Sequence, residues 1–171
     1  MEWQDVLDQD RQPTGRLHRR GEPLAPGDYV TVACAWIGDS RGRLLLTRRA
    51  PEKLSCPGMW ENSGGAVRAG ETSRQGIARE VREETGISAR PEEFEFLGTF
   101  RGQDTFYDLY FLRRTVPVEQ LTMQPGETTE AKWVTPRELR EMIDRGVMAP
   151  PIARRFRMQE REILERLSGK E

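Results

Sequence analysis

The sequence predicts a mixed α and β fold, and three observations carry that expectation. Apolar runs bounded by turn residues read as strands, most clearly at residues 29–37 (YVTVACAWI). An acidic stretch at helical spacing follows the glycine pair Gly64-Gly65. Near the C-terminus, Ile152, Phe156, Ile163, Leu164 and Leu167 mark one apolar face of a helix whose other faces carry Arg and Glu.

Taken in order, residues 2–8 read as a short strand with Trp3, Val6 and Leu7 as its apolar members. Residues 9–28 carry turn chemistry at Pro13-Thr14-Gly15, Gly21-Glu22-Pro23 and Pro26-Gly27-Asp28. This makes residues 1–28 an N-terminal arm or hairpin laid on the domain. Residues 29–37 are apolar enough to be buried on both faces. The turn at 38–42 leads to a second strand at 43–48 (RLLLTR), and residues 49–63 read as a loop. A helix over 72–85 opens with a capping box, Thr72 with Gln75, and stops at Gly86. Its core side is Ile77 and Val81, with Ala78 beside them. Strands follow at 94–100, 105–113 and 131–134. Thr135 then caps a helix from Pro136, and a last helix starts near Pro150-Pro151. The 171 residues suit a single domain, with a core over 29–135 and C-terminal helices over 136–171.

Composition narrows the partners. The 27 basic and 28 acidic residues leave a formal charge of −1, so no global field recruits a nucleic-acid polymer or a membrane surface. No apolar run approaches the ~20 residues of a membrane span. The N-terminus lacks the features of a signal peptide, and a cytoplasmic location is the expectation. Cys34 and Cys56 form no metal-binding or redox pattern, and Cys34 reads as a reduced core residue. His18 is the only histidine, which excludes a histidine-based metal cluster and a Ser-His catalytic pair.

The informative stretch is 65–87, GAVRAGETSRQGIAREVREETGI. Glu80, Glu83 and Glu84 lie at i, i+3 and i+4 and project from one helical face. Like charges that close weaken a helix. A divalent cation such as Mg²⁺ or Mn²⁺, which favours hard oxygen ligands, accounts for them. Gly64 and Gly65 open backbone conformations closed to other residues and let a carbonyl approach a metal. Arg79 lies eight residues after Glu71, within reach to fold its guanidinium back onto that carboxylate.

This stretch resembles the Nudix box: glycine, five residues, glutamate, seven residues, then Arg-Glu-apolar-any-Glu-Glu-any-Gly-apolar. Gly65, Glu71, Arg79, Glu80, Val81, Glu83, Glu84, Gly86 and Ile87 fill all nine defined positions. The resemblance implies an α/β/α sandwich with a mixed central sheet. It also implies a Mg²⁺-dependent pyrophosphohydrolase, with Mn²⁺ able to substitute. By the same resemblance Glu80 and Glu84 are metal ligands, and Glu83 and the Gly65 carbonyl complete the site. Glu71, Arg79 and Gly64 support its geometry.

The catalytic base is expected outside or inside the box. Glu127 stands six residues before Trp133, where some nucleotide-cleaving members keep a glutamate. Glu130 is the alternative, and Glu83 and Glu84 are the box candidates.

The wording PTGRLHRRGEPLAPGDY is similar to the Nudix branch close to isopentenyl-diphosphate isomerase. That comparison assigns Arg49 and Lys53 to the diphosphate. It also raises an isomerase as a rival, yet Gly64 stands where the isomerase cysteine would be, and Ala66 where its metal-binding histidine would be. A third reading, a metabolite-binding regulator without turnover, is disfavoured by the intact box glutamates and the lack of an appended DNA-binding motif. The expected substrate is a small nucleoside diphosphate derivative. Recognition is expected around Trp36, Trp60, residues 101–104 and Phe106-Tyr107, with core packing the equal alternative for the aromatic rings. The N-terminal arm and the last helix are the surfaces open to a homodimer contact.

Overall fold

A computed structural model describes residues 2–169. The N-terminal arm is an antiparallel hairpin of β1 (Trp3–Leu7) and β2 (Pro13–Arg19). Its turn lies at residues 8–12, where the Asp8 carboxylate accepts from the amides of Asp10 and Gln12. That local capping moves the reversal ahead of Pro13-Thr14-Gly15, which is strand and not turn. In β1 it is Gln4 and Val6 that are buried, while Trp3 points outward.

The main sheet has seven strands: β3 (Val30–Gly38), β4 (Leu44–Arg49), β5 (Trp60–Glu61), β6 (Ser63–Ala66), β7 (Glu95–Arg101), β8 (Thr105–Arg113) and β9 (Thr128–Val134). It is mixed. β3 runs parallel to β8 from Val30↔Thr105 to Gly38↔Arg113, and all other pairings are antiparallel.

Two expectations are corrected here. The segment read as a loop over 49–63 contributes β5 and the start of β6, and the last strand begins at Thr128. In both places ladder pairing outweighs glycine and charge content. Gly64 and Gly65 pair with Cys34 and Ala33, and Glu130 is answered across the ladder by Arg48.

Alternation along the strands sends side chains to opposite layers. Trp36, Leu44, Leu46 and Phe111 pack against α2 (Pro136–Asp144) and α3 (Pro150–Ser168). Ala35, Ile37, Leu45 and Leu112 pack against Ile77 and Val81 of α1 (Ser73–Thr85). The result is an α/β/α sandwich. Phe156 of α3 is fully buried and meets Trp36 edge-on, with ring centroids 5.3 Å apart. Truncating such a ring costs about 3–5 kcal/mol. Trp36 is thus core, and the expectation that it contacts substrate is withdrawn. No helix among the described residues is long and apolar enough to cross a membrane.

Candidate active site

β6 and α1 bring the box together. Thr72 caps α1 by accepting from the Gln75 amide, the Gln75 side chain returns to the Thr72 amide, and Gly86 ends the helix in the left-handed region. The glycines before the helix work differently from expectation. Neither Gly64 nor Gly65 has a positive φ. They are required by crowding instead. A Cβ on Gly64 would lie 2.7 Å from the Ala33 carbonyl, and one on Gly65 would lie 2.4 Å from the Glu80 carboxyl carbon.

Arg79 is the hub of the box. Its Nε and Nη2 donate to the two oxygens of Glu71 at 2.8 and 3.0 Å. Nη2 also donates to the Ala66 carbonyl, and Nη1 to Glu80 Oε1 at 2.6 Å and Glu83 Oε2 at 3.2 Å. The fork of a guanidinium suits this task, because it joins several acceptors in one plane. Glu71 further accepts from the Arg68 amide. The hairpin clasps the same loop: Glu2 pairs with Arg68 and Arg20, and Asp5 accepts from the Gly70 amide.

Glu84 is the exception among the box carboxylates. It is buried, and its Oε2 has no hydrogen-bond partner. Burial, reinforced by the charges of Glu61 and Glu80, pushes its carboxyl well above the usual range, against the pull of the Gly64 amide and Ser63 hydroxyl. Burial likewise raises Glu80, with Arg79 opposing it.

A divalent cation fits this donor set on two counts. The unpartnered Oε2 of Glu84 is a hard oxygen without a counter-charge, and the Gly65–Glu80 contact leaves no room for anything larger than hydrogen at position 65. Among the described residues the side chains are not already gathered into a three-ligand cage. Arg79 holds Glu80 and Glu83 instead.

Neither Arg49 nor Lys53 has a free charge. Arg49 donates to both oxygens of Glu61 at 2.9 and 2.8 Å and to the Ser55 carbonyl, and Lys53 pairs with Glu127. Glu130 lies apart on β9, exposed and paired with Arg48. A cleft of about 320 Å³ runs past Gly64 and Gly65, and Arg49, Glu61, Tyr107 and Arg155 also line it. Trp60 lies under Lys132, 4.2 Å from the ring centroid, so of the aromatic residues expected at the substrate only Tyr107 lines this cleft.

Sequence reasoning missed Glu61 and Arg155. Glu61 ends β5, inside the 49–63 segment whose sequence reads as loop, which hid its place. Arg155 had a legible signal: it falls at i+3 from Ile152 and beside Phe156, a charge on an apolar stripe.

Comparison with known proteins agrees with this geometry. A model of the NUDIX domain matches residues 28–155. An uncharacterized Nudix hydrolase of Listeria monocytogenes is 35% identical over 150 residues, covering 87% of this chain and 88% of the relative. An isopentenyl-diphosphate Delta-isomerase of Brevibacterium linens is 35% identical over 125 residues, covering 68% of this chain and 66% of that protein. A crystal structure of a Deinococcus radiodurans protein superposes with a TM-score of 0.73 at 25% identity, covering 90% of this chain and 98% of that one. The box is complete in sequence and its loop and helix meet through Arg79 in space, and with a family match over most of its length this chain belongs to the Nudix family.

Proposed function

We propose that this protein is a Mg²⁺- or Mn²⁺-dependent pyrophosphohydrolase acting on a nucleoside diphosphate derivative. The observation that carries the reading is Glu84, a buried carboxylate with one oxygen unanswered, beside Glu80 and the glycine strand. Glu84, Glu80, Glu83 and the Gly65 carbonyl would hold the metal. A bound divalent ion supplies charge neutralisation on the diphosphate and an acidified water for in-line attack.

The chain's own residues do the rest. Arg79 orients Glu80 and Glu83 while Glu71 holds Arg79. Proton acceptance falls to a carboxylate outside the box. Glu127 has the position before Trp133 in its favour, and its partner Lys53 keeps it on the loop beside Arg49. Glu61 has burial in its favour, which raises its carboxyl against the neighbouring Arg49. A pH–rate profile unchanged in Glu127→Gln but shifted in Glu61→Gln would assign the role to Glu61.

The isomerase rival meets a steric obstacle. A side chain at 64 would collide with Ala33 and with the Cys34 sulfur, 2.9 Å away. Cys34 itself is no substitute, since burial pushes its thiol up to about 11.

The experiment is a panel of diphosphate compounds, including isopentenyl diphosphate and nucleoside triphosphates, assayed with Mg²⁺ or Mn²⁺. Metal-dependent cleavage of one class, lost in Glu84→Gln, is the expected result. Binding without any cleavage by the wild type would replace this reading with that of a metabolite-binding regulator.

A further inference from the structure

Around the substrate cleft the cationic side chains are answered by carboxylates, with one exception. Arg20 pairs with Glu2, Arg49 with Glu61 and Lys53 with Glu127. Arg155 of α3 is 7% exposed, and among the described residues no carboxylate oxygen lies within 4.0 Å of it. Its guanidinium carbon sits 4.5 Å from the centroid of the Tyr107 ring, and Nη2 lies 4.0 Å from Cys34 Sγ. A thiol and an aromatic face are weak company for a buried charge. The attraction of the ring for the cation is smaller than the cost of removing the ion from water. Arg155 lines the same cleft as Gly64 and Gly65, so the missing counter-charge has a place to come from.

We propose that Arg155, braced on Tyr107, binds a phosphate of the substrate in the cleft that Gly64 and Gly65 of the box also line. The inference rests on the pyrophosphohydrolase reading for the identity of the anion. It differs from the assignment of that task to Arg49 and Lys53, whose charges are already matched. A guanidinium fork matches two phosphate oxygens, and the Tyr107 ring fixes its plane. The face of Tyr107 that Arg155 covers is then unavailable to stack on a base. Substrates are selected by the charge of their diphosphate, held at one end by Arg155 and at the other by the box.

The test is equilibrium binding of inorganic pyrophosphate with Mg²⁺ by wild type, Arg155→Met and Arg155→Lys, with the Tm of each free protein. The expected result is a loss of about tenfold or more in Arg155→Met, a smaller loss in Arg155→Lys, and a free-protein Tm that is unchanged or raised in Arg155→Met. Equal affinity in all three proteins overturns the proposal, as does a Tm that falls while affinity holds. Should Arg155→Met not fold, Arg155→Lys decides: weaker pyrophosphate binding at unchanged Tm supports the role, and unchanged binding overturns it. Pyrophosphate binding that depends on Arg155 in a protein that cleaves nothing would support this inference and overturn the hydrolase reading alone.

Discussion

The backbone of Gly65 and the carboxylate of Glu80 are in such close contact that a Cβ on the glycine would stand 2.4 Å from the carboxyl carbon. Strand and helix approach at a distance that only hydrogen permits. Gly65→Ala must therefore displace Glu80. A shift of about 1 Å in a catalytic group lowers turnover by about 100-fold. Steady-state kinetics at saturating Mg²⁺, beside a Tm measurement, checks this. Wild-type kcat in the variant would show that the position of Glu80 is not required.

Arg79 is nearly buried and serves Glu71, Glu80, Glu83 and a backbone carbonyl together. Arg79→Met leaves Glu71 and Glu80 in a poorly solvated place without their main counter-charge, while Arg68 still reaches Glu83, and the expected cost is about 3 kcal/mol. Urea denaturation measures it. Arg79→Lys recovers charge but not the fork, so it should fall between wild type and Arg79→Met.

As a ligand of the proposed metal, Glu84 would link metal binding to pH. Burial raises its carboxyl, so a divalent cation bound there would compete with a proton. Mg²⁺ affinity should rise with pH and level off above the raised pKa, with proton release visible in calorimetry across buffers. The same shift acts on stability. A carboxyl raised above its unfolded value contributes stability below the unfolded pKa and loses it as pH rises through the folded one. Glu84→Gln should thus be inactive and, without metal at pH 8, more stable than wild type. A lower Tm for Glu84→Gln under those conditions would contradict this account.

Glu2 behaves in the opposite sense. Burial alone would raise its carboxyl, but hydrogen bonds and charges from Arg20 and Arg68 hold it at about 2. Its contribution is present above the unfolded pKa near 4.5 and fades as pH falls toward 2. Glu2→Gln should cost about 1 kcal/mol at neutral pH, given its partial exposure. The difference from wild type should vanish in acid, which a series of thermal melts from pH 7 to pH 2.5 would reveal.

What could be read from the sequence was local. The caps of α1, the Arg79–Glu71 link and the apolar stripe of α3 depend on residues within a few turns of each other, and each formed as expected. β6 was hidden because two adjacent glycines argue against a strand, and only pairing with β3 overrides that preference. The pairing of Arg49 with Glu61, and the solitude of Arg155 beside Tyr107, depend on partners delivered by other strands. No spacing rule along one segment encodes them.

The parallel pairing of β3 with β8 has a consequence for how the chain is made. Val30 meets Thr105 and Gly38 meets Arg113, with the entire box strung between the two strands. Closing a connection of that length delays the pairing until a large loop has been ordered. On a ribosome the glutamates would emerge and coil into α1 before the strand that fixes β3 has been synthesised. The cleft is completed later still, since Arg155 of α3 lies beyond β8, and the nascent chain spends that interval with its cleft unmade.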